Sequence, residues 1–363
     1  MDRRSFLKKA GLAAGATASA ATLAAPAVAQ GKRELKMVTT WPKNFPGLGT
    51  GAQRVADRIT QASDGKLTVK LFAAGELVPP FESFDAVSSG TADMYHAAEY
   101  YWQGKHKAFN FFTAVPMGLT ANELDAWINI GEGQALWDEL AAKFNIKPLM
   151  AGNTGLQMGG WFNKEINSLE DLKGLKMRMP GLGGEVLRRL GATAVALPGG
   201  EIFPALQSGA IDATEWVGPW NDLAFGFYKV AKFYYYPGFH EPGSGLAVGT
   251  NKDVWDSFSK EEQEVVKSAC LAENNYMYSE FNYNNGAALE TLLTKHKVQL
   301  RKFSDDVFDA IAGVSEEVVR EVAGTDELSK RIYDSYIKAR KDIGGWGKIA
   351  EGSYLENRER VIG

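Results

Sequence analysis

Hydrophobic positions along this chain change their spacing between one turn signal and the next. Leu35 and Met37 alternate with charged neighbours ahead of Thr39, Thr40 and Trp41, the period of a strand. Ala52, Val55, Ala56 and Ile59 then recur at helical spacing, and Ala62-Ser63-Asp64-Gly65 predicts where that helix stops. Leu67, Val69 and Leu71 alternate with Thr68 and Lys70, a second strand. This βαβ rhythm predicts a mostly parallel sheet with helices on its faces.

The stretch Ala86-Val87-Ser88-Ser89-Gly90-Thr91-Ala92-Asp93 has an echo in Ala205-Leu206-Gln207-Ser208-Gly209-Ala210-Ile211-Asp212. Each copy reads as a short helix ended by a Ser-Gly pair, whose glycine can take the left-handed cap, followed by a strand carrying an aspartate. Two copies of one unit predict two similar α/β lobes with a cleft between them. After Phe258 the pattern changes. Ser259-Lys260-Glu261-Glu262 is a capping box, in which hydroxyl and carboxylate satisfy free N–H groups at a helix start. Few breakers follow until Asn284-Asn285-Gly286, and helical periodicity resumes to about His296. A continuous helix there would run roughly 50 Å, long enough to span both lobes. Residues 307–322 and 328–343 read as further amphipathic helices.

The N-terminus predicts export. Arg3-Arg4-Ser5-Phe6-Leu7-Lys8-Lys9 is a twin-arginine pattern, followed by an alanine-rich stretch and an A-x-A site at Ala27-Val28-Ala29. Residues 1–29 therefore read as a signal peptide and the mature protein as periplasmic. The whole chain of 363 residues carries a net charge of −4; without the +3 of the signal segment it carries −7. No block of like charge stands out, which argues against a nucleic-acid surface. A single cysteine, Cys270, excludes an internal disulfide and sits in a helical pattern as a small core residue.

Catalytic signatures are missing from the sequence: there is no G-x-S-x-G elbow, Walker loop or H-E-x-x-H motif. The four histidines are scattered. Gly47-Leu48-Gly49-Thr50-Gly51-Ala52 fits a dinucleotide fingerprint, but Pro42 and Pro46 separate it from the preceding strand. A glycine-rich helix entry is the plainer reading.

Residues 152–241 carry the specific motifs. Gly152-Asn153-Thr154-Gly155-Leu156-Gln157-Met158-Gly159-Gly160-Trp161-Phe162 leads to Gly174-Leu175-Lys176-Met177-Arg178. The echo segment then runs on into Ala213-Thr214-Glu215-Trp216. These elements resemble the solute receptors of TRAP (tripartite ATP-independent periplasmic) transporters, and the resemblance runs through essentially the whole mature chain. The Gln-Met-Gly-Gly-Trp-Phe and Ala-Thr-Glu-Trp elements are similar to the branch that binds 2-oxo or 2-hydroxy monocarboxylates, such as pyruvate and lactate, with a metal ion. The resemblance implies that Arg178 pairs with the cargo carboxylate, for which a guanidinium offers a matching planar fork. It implies a metal set of Gln157, Glu215, the Trp216 carbonyl and Glu241, all oxygen donors suited to a hard cation rather than zinc or copper. Tyr100 and Asn153 are expected to line the pocket.

The implied fold is periplasmic-binding-protein-like α/β: two lobes, a central cleft, a long helix spanning both and C-terminal helices. Residues 30–152 with about 240–275 are expected to form lobe I, and 153–239 with about 276–363, C-terminal helices included, lobe II. One cation is expected, calcium favoured over sodium because a divalent ion balances two carboxylates, an anionic cargo and Arg178. The implied partners are a small organic anion and the membrane subunits of the transporter, and residues 328–343 form a candidate homodimer surface. Function by domain closure needs no covalent step, so the chain is read as no enzyme. Rival readings are an exported metal-dependent enzyme acting on 2-oxo acids, a ligand-sensing receptor subunit, and a receptor for larger 2-oxo acids, dicarboxylates or sugar acids.

Overall fold

The computed structural model describes residues 32–362, so the predicted signal segment lies outside the described residues. Two sheets organise the chain. The first has strand order β2-β1-β3-β10-β4, from β1 (Arg33–Thr39), β2 (Leu67–Phe72), β3 (Met94–Ala97), β4 (Ile146–Asn153) and β10 (Gly245–Asn251). The second has order β11-β9-β5-β8-β6-β7, from β5 (Gly160–Phe162), β6 (Lys176–Arg178), β7 (Thr193–Val195), β8 (Ala213–Thr214), β9 (Phe233–Tyr236) and β11 (Gln299–Lys302).

The sheets are mixed rather than mostly parallel. β1 pairs in parallel with β2 and β3, and β6 with β7 and β8, as the βαβ rhythm requires. Strand β10 runs antiparallel to both of its neighbours, and β5 to both of its own. Each of these strands enters its sheet directly from the other lobe, without the crossover helix that makes a strand parallel.

The echo is a true structural repeat. Asp93 N donates to Lys36 O (3.0 Å) while Lys36 N donates to the Asp93 carboxylate (2.7 Å). Asp212 makes the same exchange with Lys176, at 2.7 and 3.0 Å. Gly90 and Gly209 both take positive φ (81° and 73°), the conformation that ends each helix. The two aspartates thus clip the start of the second strand to the first in both lobes.

The predicted long helix is continuous over Lys260–Thr294, with both halves of the Ser259–Glu262 capping box formed. It packs on the first helix (Leu48–Ala62), where the glycine-rich entry serves close approach. A Cβ at Gly51 would stand 2.3 Å from Met277 Cε, and Arg54 bonds the fully buried Glu273 at 2.7 Å. Cys270 is buried beside Val266 and Ala269.

The C-terminal helices divide, and the expectation that both belong to the second lobe needs correction. Helix Asp305–Val322 packs beside the second sheet, with Arg189 bonding Glu321 at 2.8 Å. Helix Glu327–Gly347 returns to the first lobe: Leu119 N donates to Tyr336 Oη (2.7 Å) and Trp127 Nε1 to Ser335 Oγ (3.1 Å). Its apolar face, with Leu328, Ile332 and Tyr336 buried, is thereby spent within the chain. Among the described residues, no helix is long and apolar enough to cross a membrane.

Candidate functional site

Among the described residues four connections join the lobes: residues 154–159, residues 237–244, the long helix and residues 323–326 between the C-terminal helices. The first two are hydrogen-bonded to each other. Gln157 N donates to Glu241 O (3.1 Å), Gly238 N to Gln157 O (3.0 Å) and Thr154 N to Ser244 O (3.1 Å). A Cβ at Gly238 would stand 2.5 Å from Gln157 O, a backbone atom that cannot turn aside. Gly238→Ala should therefore destabilise the fold by about 1–3 kcal/mol. An unchanged midpoint in chemical unfolding would refute this close approach.

The same connections carry Gln157 and Glu241, while the second sheet supplies the opposing groups. Arg178 ends β6 and Glu215 follows the adjacent β8, where Arg178 lies in register with Thr214. Glu215 N donates to Arg178 O at 3.2 Å, which fixes the two side chains next to one another. Both are fully buried, whereas Lys176, two residues earlier, is exposed.

Arg178 Nη1 donates to the Glu215 carbonyl (3.1 Å) and carboxylate, Nε donates to Leu197 O (3.2 Å), and Cζ lies 5.2 Å from the Trp216 ring. Among the described residues, Nη2 alone of the guanidinium nitrogens has no partner. The bidentate fork expected from the sequence thus reduces to one free guanidinium nitrogen. Burial opposes the guanidinium's charge, but Glu215 and the phenols of Tyr101 and Tyr100 more than offset it and raise its pKa.

Gln157 Nε2 donates to Glu241 (2.7 Å) and Thr154 Oγ1 (3.0 Å), leaving its Oε1 unpartnered and buried. Burial, reinforced by the nearby Glu215, lifts the Glu241 carboxyl above the usual carboxylate range. Glu215 Oε2 is also unpartnered. His240, which sequence reasoning missed, brings Nε2 to 3.3 Å from that oxygen. One ligand atom each from Glu215, His240 and Glu241 lies within 4.8 Å of the others. Buried polar atoms left without partners are costly unless something else satisfies them. Here oxygen acceptors and a cationic donor converge, a set that fits a cation together with an anion.

Tyr100 lines a small adjoining cavity with Trp41, Tyr101, Gln157, Trp216 and Leu246. Asn153 does not join this group. Its carboxamide oxygen accepts from Gly155 N (2.8 Å) in the turn that starts the first crossing, and its side chain faces a separate cavity with Asp125, Asn274 and Tyr278. Asp222 was also missed: it accepts from Trp161 Nε1 (2.9 Å), Tyr234 Oη (2.6 Å) and Val217 N (3.3 Å), holding the loop that carries Glu215 and Trp216. The His240-Glu241 pair after an aromatic run was the only available signal for His240; nothing marked Asp222.

Comparison with known proteins identifies the family of the chain. Residues 37–326 match the sequence profile of the bacterial extracellular solute-binding protein family 7, DctP. A monocarboxylate 2-oxoacid-binding periplasmic protein of Nostoc sp. is 43% identical over 358 residues, covering 98% of each chain. A TRAP transporter solute-binding protein of Bordetella bronchiseptica, solved with calcium and picolinate, superposes with a TM-score of 0.88 at 36% identity, covering 91% of this chain and 98% of that one. Those of Pseudoalteromonas atlantica, with sodium and pyruvate, and Colwellia psychrerythraea, with calcium and pyruvate, each reach 0.87 at 40% identity, covering 90% and 99%. Sequence profile, overall identity and superposed fold agree over nearly the whole described chain, which belongs to the DctP family of TRAP transporter solute receptors.

Proposed function

We propose that this receptor captures a small 2-oxo or 2-hydroxy monocarboxylate together with one cation. The observation that carries the reading is the convergence of unpartnered buried atoms: Arg178 Nη2 on one side, Gln157 Oε1 and Glu215 Oε2 on the other. Arg178 takes the cargo carboxylate. Gln157, Glu215, the Trp216 carbonyl and Glu241 hold the cation, and the cation takes oxygens of the cargo. Calcium is favoured over sodium, since two carboxylates and an anionic cargo against one guanidinium leave two negative charges to neutralise. The relatives crystallised with pyruvate and either ion support the cargo class and both ions.

Capture follows from closure of the lobes about the two hydrogen-bonded crossings and the long helix. Closure excludes water, and lower local dielectric strengthens every ion contact in the site. The bulky walls of the adjoining cavity, Trp41, Tyr101 and Trp216, favour a short cargo over a long one. No covalent step is needed, so the protein acts as a carrier rather than an enzyme, delivering to transporter subunits in the membrane. The twin-arginine segment would bring it to the periplasm.

Trp216 lies against Arg178, so intrinsic fluorescence should report binding. Titration with pyruvate, lactate, longer 2-oxo acids and succinate, with and without a chelator, is expected to show saturation by the short monocarboxylates alone, lost on chelation. Dependence on sodium instead would change the ion and keep the cargo. Silence across the panel would end the 2-oxo acid assignment, and a new product from pyruvate would favour an enzyme.

A further inference from the structure

The capture proposed above makes no use of residues 42–47, the loop whose Pro42 and Pro46 separate β1 from the glycine-rich entry of the first helix. The loop is stiff. Its prolines restrict it, Phe45 N donates to Pro42 O (3.1 Å), Thr50 N donates to Phe45 O (3.0 Å), and Asn44 and Gly47 hold positive φ of 56° and 70°. It belongs to the first lobe, yet its tip lies against the second. The Phe45 ring stacks on Phe225, with centroids 4.2 Å apart and planes 29° from parallel, and meets Trp216 edge-to-face at 6.2 Å. Asn221 Nδ2 donates to Pro46 O (3.0 Å), and a Cβ at Gly47 would stand 3.0 Å from the Trp220 ring. Trp220, Asn221 and Phe225 all belong to helix Pro219–Phe225, which follows the Glu215-Trp216 loop in the second lobe. Gly199 makes room beneath them: a Cβ there would stand 2.6 Å from Trp216 and 3.1 Å from Phe225.

We propose that loop 42–47 is a latch whose seating on helix Pro219–Phe225 sets how long the shut receptor retains its cargo, whichever cargo that is. The inference rests on the lobe closure proposed above. In the shut arrangement Phe45 is 8% exposed and Asn221 is fully buried. Among the described residues the bond to Pro46 O is the one hydrogen bond of the Asn221 side chain, whose oxygen is left unpartnered. Parting the lobes would therefore expose a stacked aromatic pair and break that bond, which opposes opening. The cavity beside the cation site is lined by Trp41, Tyr100 and Trp216, but by neither Phe45 nor Asn221. A contact made only between shut lobes raises the closed population and leaves the relative affinity of two cargoes unchanged. Phe45 and Asn221 are thus positioning residues that act through closure.

The test follows pyruvate release from the calcium-loaded mature protein by stopped-flow fluorescence, and compaction on binding by small-angle X-ray scattering. Phe45→Ala is expected to speed release by roughly 10- to 100-fold, with association changed far less. Affinities for pyruvate and lactate should fall by one common factor. Phe45→Tyr keeps the stack and should release at close to the wild-type rate. Asn221→Asp, which sets an acceptor against Pro46 O in nearly the same volume, should also speed release, and it serves as the second variant should Phe45→Ala fold poorly. Release within twofold of wild type in the folded variants, or a changed pyruvate-to-lactate affinity ratio, would overturn the latch while leaving lobe closure in place. A wild-type protein that does not compact on adding pyruvate and calcium would overturn the closure reading, and the latch with it.

Discussion

Arg178→Met is expected to weaken cargo binding by about a hundredfold or more, because it removes one member of a buried, hydrogen-bonded charge constellation. It should also destabilise the empty protein. Glu215 is fully buried, and among the described residues its carboxylate receives Arg178 Nη1 as its only charged hydrogen-bond donor. Breaking a buried pair from one side typically costs about 3–5 kcal/mol, since the remaining charge is left uncompensated. Arg178→Lys should recover part of the stability and little of the binding. An ammonium is a point charge and cannot reach Leu197 O, Glu215 and the cargo from one planar group. Calorimetric titration and chemical unfolding read the two effects separately. Binding within threefold of wild type in the methionine variant would remove Arg178 from the site.

A measure of how far the sequence reaches is the long helix. Its start was legible because the capping box is a local rule, and Asn284-Asn285-Gly286 does not break it. One internal glycine costs about 1 kcal/mol, which the buried Phe281, Ala288 and Leu292 around it can offset. Strand direction was not legible. Whether β10 joins its sheet parallel or antiparallel depends on which lobe the chain is leaving, and alternation within the strand is the same either way. The amphipathic stripe of helix Glu327–Gly347 showed that its face would be covered, but not that Leu119 and Trp127 of the first lobe would cover it.

The site divides along the same line. Arg178 and Glu215 belong to separate elements that carry the family resemblance and lie on and beside neighbouring strands, and Gln157 and Glu241 belong to segments that cross between lobes. Asp222 is set by Trp161, Tyr234 and Val217 together, and His240 by its approach to Glu215, and no spacing rule reaches either combination. Asn153, expected in the pocket, has its side chain used locally on Gly155. Motif membership fixed which segments meet, while burial and hydrogen bonding decided which side chains within them remain free.

Without a bound cation, the protein should lose stability as pH rises from about 5 to about 8. Burial pushes the carboxyls of Glu99 and Asp222 each up to about 7 and raises that of Glu241 as well. In the unfolded chain these groups release their protons at about pH 4. Between those limits the folded state holds more protons than the unfolded one, so stability is full at low pH and declines as pH rises through the folded values. His96 runs the other way. Burial pushes it down to about 4, while an unfolded histidine takes up its proton near about pH 6.5, so folding loses stability as pH drops below that point. Three buried acids against one buried base leave a net decline, which melting curves of chelated protein across this range should register as several degrees. A cation at Glu241 favours the ionised carboxylate and removes that group's contribution, so saturating calcium should flatten the slope and raise stability most at the upper end. A midpoint that climbs with pH in the chelated protein would contradict the protonation assigned to these buried acids, and one that responds equally to calcium at both ends would separate the ion from Glu241.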